Sequence, residues 1–89
     1  MAVEQAWSRT AEEAGQRIEQ IWKDVLGVAE IQPRATFFEL GGQSVSAVRI
    51  AARIEEELGV TVDMGDLFED PDLETFVRDV VAKLPAGQE

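Results

Sequence analysis

The chain lacks two residue types on which much enzyme chemistry depends, because its 89 residues include no cysteine and no histidine. Without them it cannot build a disulfide framework, a zinc or haem site, a thiol nucleophile or a Ser-His triad. It also lacks an apolar run of membrane-spanning length, and residues 1–5 have neither the basic nor the apolar region of a secretory signal. We therefore expect a soluble, cytoplasmic protein without a catalytic centre of these kinds.

Basic residues are few, with 8 Lys and Arg against 18 Asp and Glu, which gives a net charge of −10. A nucleic-acid-binding surface needs clustered cations to displace the counterions of phosphates, and an anionic membrane attracts a basic amphipathic stretch. We expect neither nucleic acid nor a membrane as a partner. Hydrophobic residues make up 45% of the chain, enough for the core of one small domain, which we expect to be a monomer.

The stretch between Arg53 and Arg78 contains many acids and no base. We favour a solvated face for this run, and a docking face for basic partners remains the alternative. The aspartate spacing of a calcium-binding EF-hand loop is absent, so no metal site is predicted there. The acids are Glu55, Glu56, Glu57, Asp63, Asp66, Glu69, Asp70, Asp72 and Glu74.

Apolar residues recur at helical spacing in three segments of the chain. The first helix is predicted to begin at the capping box Thr10-Ala11-Glu12-Glu13 and to end at Gly27. The second is predicted over about residues 44–58 and the last over about residues 72–83, with a short helical turn over residues 64–70 between them. The predicted apolar faces are Ala14, Ile18, Ile21, Trp22 and Val25; Ala47, Ala51, Ile54 and Leu58, with Val48 and Ala52 beside them; and Leu73, Phe76, Val77, Val80, Val81 and Leu84.

These segments predict an all-α fold, a small four-helix bundle with three main helices and a short third helix. Residues 1–9 are expected to form a flexible lead-in, although Trp7 could fold back onto the first helix. The domain itself is predicted to span residues 10–84, with a tail at 85–89. Residues 60–62 resemble a strand in composition, but without a partner run they are interpreted as an extended linker.

The segment from Val28 to Gln43 has no sustained period and contains Pro33 and two adjacent glycines, which predicts a long ordered loop. A loop of this length in a compact domain is usually functional. At least one of Phe37 and Phe38 should point into the core, because exposing both would cost about 1.5–3 kcal/mol each.

The loop leads into Gly41-Gly42-Gln43-Ser44, which places a serine at the start of a helix. The glycines give the backbone access to positive φ and let another molecule approach closely. Unpaired N–H groups and the helix dipole favour a phosphate at that end, so an exposed Ser44 could be modified by a partner enzyme. Alternatively, Ser44 could act only as the N-cap of the helix. Ser46, the nearest other hydroxyl, is expected to point away, and there is no Gly-x-Ser-x-Gly nucleophile elbow.

The string Phe37-Phe38-x-Leu40-Gly41-Gly42-x-Ser44 resembles the prosthetic-group attachment motif of peptidyl carrier domains, the thiolation domains of nonribosomal peptide synthesis. Ile21-Trp22-x-x-Val25-Leu26-Gly27 resembles the end of that family's first helix, and Leu67-Phe68-Glu69-x-Pro71 resembles its short third helix and the turn after it. The similarity covers roughly residues 14–82 and implies the four-helix fold of the acyl and peptidyl carrier type.

The resemblance implies a carrier that performs no catalysis of its own. Ser44 would be esterified by a 4′-phosphopantetheine arm taken from coenzyme A, with Gly41, Gly42 and Gln43 beside the attachment site. The terminal thiol of the arm would hold an aminoacyl or peptidyl group as a thioester during the synthesis of a natural product such as a peptide antibiotic.

The resemblance also implies partners, namely a magnesium-dependent phosphopantetheinyl transferase, an adenylation enzyme, and condensation, thioesterase or tailoring enzymes. Core packing is the alternative role for the apolar residues of the implied partner surface, and we favour it for Val48. Gln43 stands where the family commonly has His or Asp, which puts the choice of partner in doubt but leaves the modification expected. The implied partner surface is Leu40, Gln43, Val45, Val48, Met64 and Leu67.

Two further alternatives stay open at the level of the sequence. The chain could be a small acidic interaction adapter without a prosthetic group, although an adapter would not explain two glycines and a serine at a helix start. A discrete carrier that acts in trans is favoured over a domain excised from a larger synthetase, because no proline-rich linker leads into the domain.

Overall fold

Four α-helices make up the fold in the computed structural model, which describes residues 2–84, with side chains from residue 11 onward. The helices are α1 (Ala2–Leu26), α2 (Ser44–Leu58), α3 (Met64–Phe68) and α4 (Leu73–Ala82). Within that range no strand forms, and an isolated antiparallel bridge joins Thr36 to Asp72. The predicted all-α bundle with three main helices and a short third one is confirmed.

Helix α1 begins at Ala2, so the predicted start at the Thr10 capping box is wrong. Residues 2–9 contain neither glycine nor proline, and nothing in their sequence forces the helix to break before Thr10. The division into a lead-in of residues 1–9, a domain of residues 10–84 and a tail of residues 85–89 stays a prediction. The suggested folding of Trp7 onto the helix and the tail lie outside the described side chains.

The core sits where α1 packs against α2 and α4. The predicted face of α1 is confirmed, since Ala14, Ile18, Ile21 and Trp22 are buried and Val25 packs against them. The ring of Trp22 lies between two other aromatic rings, with centroid distances of 6.0 Å to Phe37 and 5.4 Å to Phe76. Such contacts add about 0.5–1.5 kcal/mol each to the gain from burial. Phe37, which belongs to the loop, is thereby fixed to α1 and α4.

The buried face of α2 includes Ile50, which the predicted face omits, while Ala51 and Leu58 of the predicted face are only partly buried. Ile50 is buried with Ala47 and Ile54, whereas Val48 is exposed, so core packing is the wrong role for Val48. The helix ends as predicted at Gly59, whose φ is +72° and whose N–H donates to the Glu55 carbonyl at 3.0 Å. The same left-handed ending closes α1 at Gly27.

The segment from residue 28 to residue 43 is a loop tied by backbone hydrogen bonds to the turn before α4. Phe37 N–H donates to the Pro71 carbonyl at 3.1 Å, and Leu73 N–H donates to the Ala35 carbonyl at 3.0 Å. These bonds explain how a loop of this length stays ordered without forming a helix or strand. At the end of the loop, the backbone enters α2 in a fixed position relative to α4.

The short elements after α2 follow the prediction closely. Val60 and Val62 are buried and Thr61 is exposed, as expected of an extended linker. Helix α3 ends at Phe68, two residues before the predicted end, because Asp70 adopts a left-handed φ of 62°. The predicted cap of α4 is confirmed, since the Asp72 carboxylate accepts the Thr75 N–H at 2.7 Å. No helix within residues 2–84 is both long and apolar enough to cross a membrane.

Candidate functional site

Ser44 occupies the first helical position of α2, and Gln43 is the N-cap. Gln43 has an extended backbone (φ −141°, ψ 177°), and its carbonyl accepts the first helical bond from Ala47 N–H at 2.9 Å. The alternative that Ser44 acts only as the N-cap is therefore wrong. The Ser44 side chain is exposed, and its hydroxyl has no hydrogen-bond partner among the side chains described. A partner enzyme can reach this oxygen without displacing an interaction of the fold.

Ser46 has a different environment from Ser44. It is half-buried, and its hydroxyl oxygen accepts a long hydrogen bond of 3.4 Å from the backbone N–H of Gln43. This bond satisfies one of the N–H groups that a helix start leaves without a partner. Of the two hydroxyls at the start of α2, the one on Ser44 is free and the one on Ser46 is turned back to the backbone.

The two glycines before the site have different structural reasons. Gly41 has a φ of +89°, and a Cβ added to it would meet no atom within 4 Å, so only its backbone conformation requires glycine. At Gly42 the φ is not positive, and an added Cβ would lie 2.5 Å from the ring of Phe37. Positive φ therefore accounts for Gly41 alone. Gly42 lets the chain pass against the fully buried Phe37 ring immediately before Ser44.

The two adjacent phenylalanines divide as the sequence predicts, with one inside the core and one outside. Phe37 is fully buried, whereas Phe38 is 48% exposed. The backbone N–H of Phe38 donates to the Asp70 carboxylate at 2.8 Å, across 32 residues of sequence. This bond and the burial of Phe37 fix the loop on both sides of the Phe37–Phe38 peptide, a short distance in sequence from Ser44.

The charges around Ser44 suit an attached phosphate. The first turn of α2 contains no acidic residue, and no acid occurs from Leu40 to Ile54. The first-turn N–H groups and the positive end of the helix dipole both favour a negative group at this position. Further along α2, Arg53 pairs with Asp24 at 3.1 Å and with Glu57 at 2.9 Å. Hydrogen bonds from the side-chain amide of Gln20 and, to a smaller extent, from the guanidinium of Arg53 lower the pKa of the Asp24 carboxyl. The residues present thus fit a phosphate ester on Ser44.

Several acids of the run between Arg53 and Arg78 take part in the fold. The carboxylates of Asp63, Asp70 and Asp72 accept backbone N–H groups, and Asp66 lies 3.5 Å from Lys83. Hydrogen bonds from the Thr75 backbone and hydroxyl lower the pKa of Asp72, with a smaller effect from the nearby arginines. These contacts give part of the run a structural reason, and the choice between a solvated and a docking face remains a prediction.

The implied partner surface is exposed in most but not all of its members. Val45 is 64% exposed and Val48 is 50% exposed, and Gln43 and Met64 are also at the surface. Leu40 is half-buried, and Leu67 is fully buried in the core, so Leu67 is not available as a contact residue. The adjacent residue Phe68 is exposed instead.

The exposure of Phe68 was not predicted from the sequence. Neighbouring residues of a helix point in directions about 100° apart, so Leu67 and Phe68 cannot both point directly at the centre of the core. Size alone would have placed the larger side chain inside, and the structure shows the reverse.

A family model described as the phosphopantetheine attachment site matches residues 16–80 of the chain. The chain belongs to this family. Among its relatives, the carrier domain is 43% identical over 68 residues to phosphinothricin tripeptide synthetase PhsC of Streptomyces viridochromogenes. It is 42% identical over 65 residues to surfactin synthase subunit 3 of Bacillus subtilis. These alignments cover 76% and 73% of this chain but only 6% and 5% of the synthetases.

Solved structures of carrier proteins share the fold. A peptidyl carrier protein in complex with the phosphopantetheine transferase Sfp and coenzyme A has a TM-score of 0.72 and 29% identity, over 78% of this chain and 90% of that one. BlmI, a type-II acyl-carrier protein from Streptomyces verticillus involved in bleomycin biosynthesis, has a TM-score of 0.75 and 26% identity, over 88% and 94% of the two chains. The four-helix arrangement is therefore that of a peptidyl carrier domain.

Proposed function

We propose that this carrier domain holds an aminoacyl or peptidyl group as a thioester on a 4′-phosphopantetheine arm attached to Ser44. It delivers that group to partner enzymes of nonribosomal peptide synthesis. The observation that carries the proposal is the exposed, unbonded hydroxyl of Ser44 at the first position of α2, within the matched residues 16–80. Family membership supports the prosthetic group, and the geometry supports this residue as its point of attachment.

The Ser44 hydroxyl would act as the nucleophile when the arm is installed. Its oxygen would form a bond to the pantetheine-bearing phosphorus of coenzyme A, and the bond from that phosphorus to adenosine 3′,5′-bisphosphate would break. The proton would leave to a base of the transferase, because this chain has no histidine or cysteine and no acid between residues 40 and 54. The first turn of α2 would then stabilise the new negative charge on the phosphodiester. Once attached, the arm supplies the thiol that the chain itself lacks.

Partners and pathway are part of the proposal. Matched relatives are named as synthetases of phosphinothricin tripeptide and surfactin, and a similar structure is an adenylation–carrier protein with bound phenylalanyl-adenylate. These names support an adenylation enzyme as the loading partner, with condensation, thioesterase or tailoring enzymes acting later. We place the protein in the cytoplasm because coenzyme A and ATP, on which installation and loading depend, are cytoplasmic metabolites. Both a discrete carrier and a module of a synthetase fit the geometry.

The partner surface is proposed with one replacement. Leu40, Gln43, Val45, Val48 and Met64 are retained, because they lie at the surface or are half-buried beside Ser44 and α3. Phe68 takes the place of Leu67, because the side chain of Leu67 is buried and packs α3 against the core.

The absence of cysteine gives a direct test of the proposed function. The chain is incubated with coenzyme A, Mg²⁺ and a broad-specificity phosphopantetheinyl transferase, separated from free coenzyme A, and exposed to a thiol-reactive fluorescent maleimide. Because the polypeptide has no thiol, labelling can come only from an attached arm. We expect labelling that depends on both the transferase and coenzyme A.

The matched variants are Ser44→Ala and Ser46→Ala. Labelling should disappear in the first and persist in the second. A wild-type chain that stays unlabelled, while a known carrier is labelled in the same mixture, would contradict the proposal and favour the adapter alternative.

A further inference from the structure

The outer face of α2 beside Ser44 combines exposed valines with an arginine. Val45, Val48, Arg49 and Ala52 are all exposed, and their spacing of three and four residues places them on one strip of the helix. Arg49 follows Ser44 by five residues, about 7.5 Å along the helix axis and about 140° around it. Val45 and Val48 lie between the two in direction, so an enzyme that covers Ser44 and both valines also approaches Arg49.

Arg49 has no acidic partner among residues 11–84, unlike most of the other cations described. Arg53 bridges two carboxylates, and the side-chain nitrogens of Arg17, Lys23, Arg78 and Lys83 each lie within 3.9 Å of a carboxylate oxygen. The segment from Leu40 to Ile54 contains two arginines and no acid, in a chain whose net charge is −10. This segment therefore carries no negative side chain, and its exposed cation Arg49 is not neutralised by a described acid.

The charge of this strip points to the chemistry of the partner. We infer that Arg49 binds a carboxylate on the enzymes that act at Ser44, within a contact that is otherwise apolar and is made by Val45 and Val48. This inference rests on the proposed attachment at Ser44. Removing water from a guanidinium costs free energy, and burying it in a contact is favourable only when an acid accepts its hydrogen bonds. A partner that presents a basic group at this point is therefore disfavoured.

Arginine and lysine at this position should bind a carboxylate differently. The guanidinium presents a planar fork that can bind both oxygens of a carboxylate, whereas an ammonium group acts as a point charge. Arg49→Lys should therefore retain most but not all of the interaction, and Arg49→Glu should replace attraction with repulsion.

The test uses the phosphopantetheinyl transferase as the probe, because it must reach Ser44 before any other partner. Initial rates of arm transfer are measured at several concentrations of the carrier, for wild type, Arg49→Lys, Arg49→Glu and Arg78→Glu. The control Arg78→Glu makes the same change of charge at an exposed position on α4. Arg49→Glu should lower kcat/KM by about tenfold through a higher KM, Arg49→Lys by about threefold, and Arg78→Glu by less than about twofold.

The outcomes separate this inference from the proposal on which it rests. Equal effects of Arg49→Glu and Arg78→Glu, or a faster reaction of Arg49→Glu, would overturn the role of Arg49 and leave attachment at Ser44 standing. No transfer to the wild-type chain would overturn both. The melting temperatures of the Arg49 variants should match that of the wild type, because this exposed side chain makes no contact on which the fold depends. A loss of rate that is accompanied by unfolding would therefore also contradict the inference.

Discussion

The backbone N–H of Phe38 donates a hydrogen bond of 2.8 Å to the carboxylate of Asp70. Asp70 holds a φ of 62°, a conformation that is unfavourable for residues other than glycine and is best tolerated by Asn and Asp. The strain and the hydrogen bond occur in one residue, which joins the turn after α3 to the loop before Ser44. The position of the attachment loop therefore depends on a contact between segments that are far apart in the sequence.

Replacing Asp70 should show how much its hydrogen bond and its tolerance of the left-handed φ together contribute to stability. Asp70→Ala loses the acceptor and keeps the strained φ, so the free energy of unfolding should fall by about 2 kcal/mol. Asp70→Asn tolerates the left-handed conformation and retains an oxygen acceptor, and it should lose less than half of that. Urea unfolding followed by circular dichroism gives both values. Equal destabilisation by the two substitutions would contradict the stabilising role given to the acceptor oxygen and the backbone conformation of residue 70.

Gly42→Ala should be more damaging than Gly41→Ala, although the two glycines are adjacent. At Gly42 the new Cβ would overlap the buried ring of Phe37, which should cost about 2–3 kcal/mol of unfolding free energy. At Gly41 only the positive φ is disfavoured, at about 1 kcal/mol. The same urea measurements rank them.

The smaller side chain of Phe37→Leu should relieve the overlap at Gly42. The cost of Gly42→Ala should therefore be smaller in a Phe37→Leu background than in the wild type. Strictly additive costs for these two changes would contradict the proposed contact.

The two serines at the start of α2 should contribute differently to stability. Ser44→Ala should change the unfolding free energy by less than about 0.5 kcal/mol, because its exposed hydroxyl makes no bond within the fold. Ser46→Ala should cost about 0.5–1 kcal/mol, because it removes the acceptor of the Gln43 N–H. Thermal unfolding of the unmodified variants tests this order. A larger loss of stability for Ser44→Ala than for Ser46→Ala would contradict the capping role given to Ser46.

Acid should weaken the fold partly through Asp72. Its pKa is lowered in the folded state by hydrogen bonds from Thr75, so the ionised carboxylate stabilises the fold above the pKa of an unfolded aspartate. This contribution is lost as the pH falls below about 4, through the lower folded pKa. In Asp72→Asn, which retains a helix-capping side chain, the unfolding free energy should fall less steeply between about pH 5 and pH 2. An unchanged slope would exclude Asp72 as a source of acid sensitivity.

Local patterns in the sequence predict most of the helices and the position of Ser44. Helical spacing identifies the face of α1, and glycines in left-handed conformation end α1 and α2 as expected. The errors arise where the sequence offers a local signal that the fold does not use, as with the capping box at Thr10. They also arise where neighbours compete for the core, as with Leu67 and Phe68.

Contacts between distant segments could not be predicted from a single sequence. The clash that requires glycine at position 42 depends on the location of the Phe37 ring, and the bond from Phe38 to Asp70 spans 32 residues. Both contacts act on the loop that carries the attachment motif. Residue types therefore predict which serine would be modified, while the structure was needed to explain how the loop before Ser44 is held in place.

The central claim is that Ser44, and no other residue, carries the phosphopantetheine arm. Its most direct test is the intact mass of wild type, Ser44→Ala and Ser46→Ala after incubation with coenzyme A, Mg²⁺ and an active transferase. We predict the added mass of one arm on the wild type and on Ser46→Ala, and none on Ser44→Ala. An arm on Ser44→Ala, or an unchanged mass of wild type that was shown to be unmodified at the start, would contradict the account.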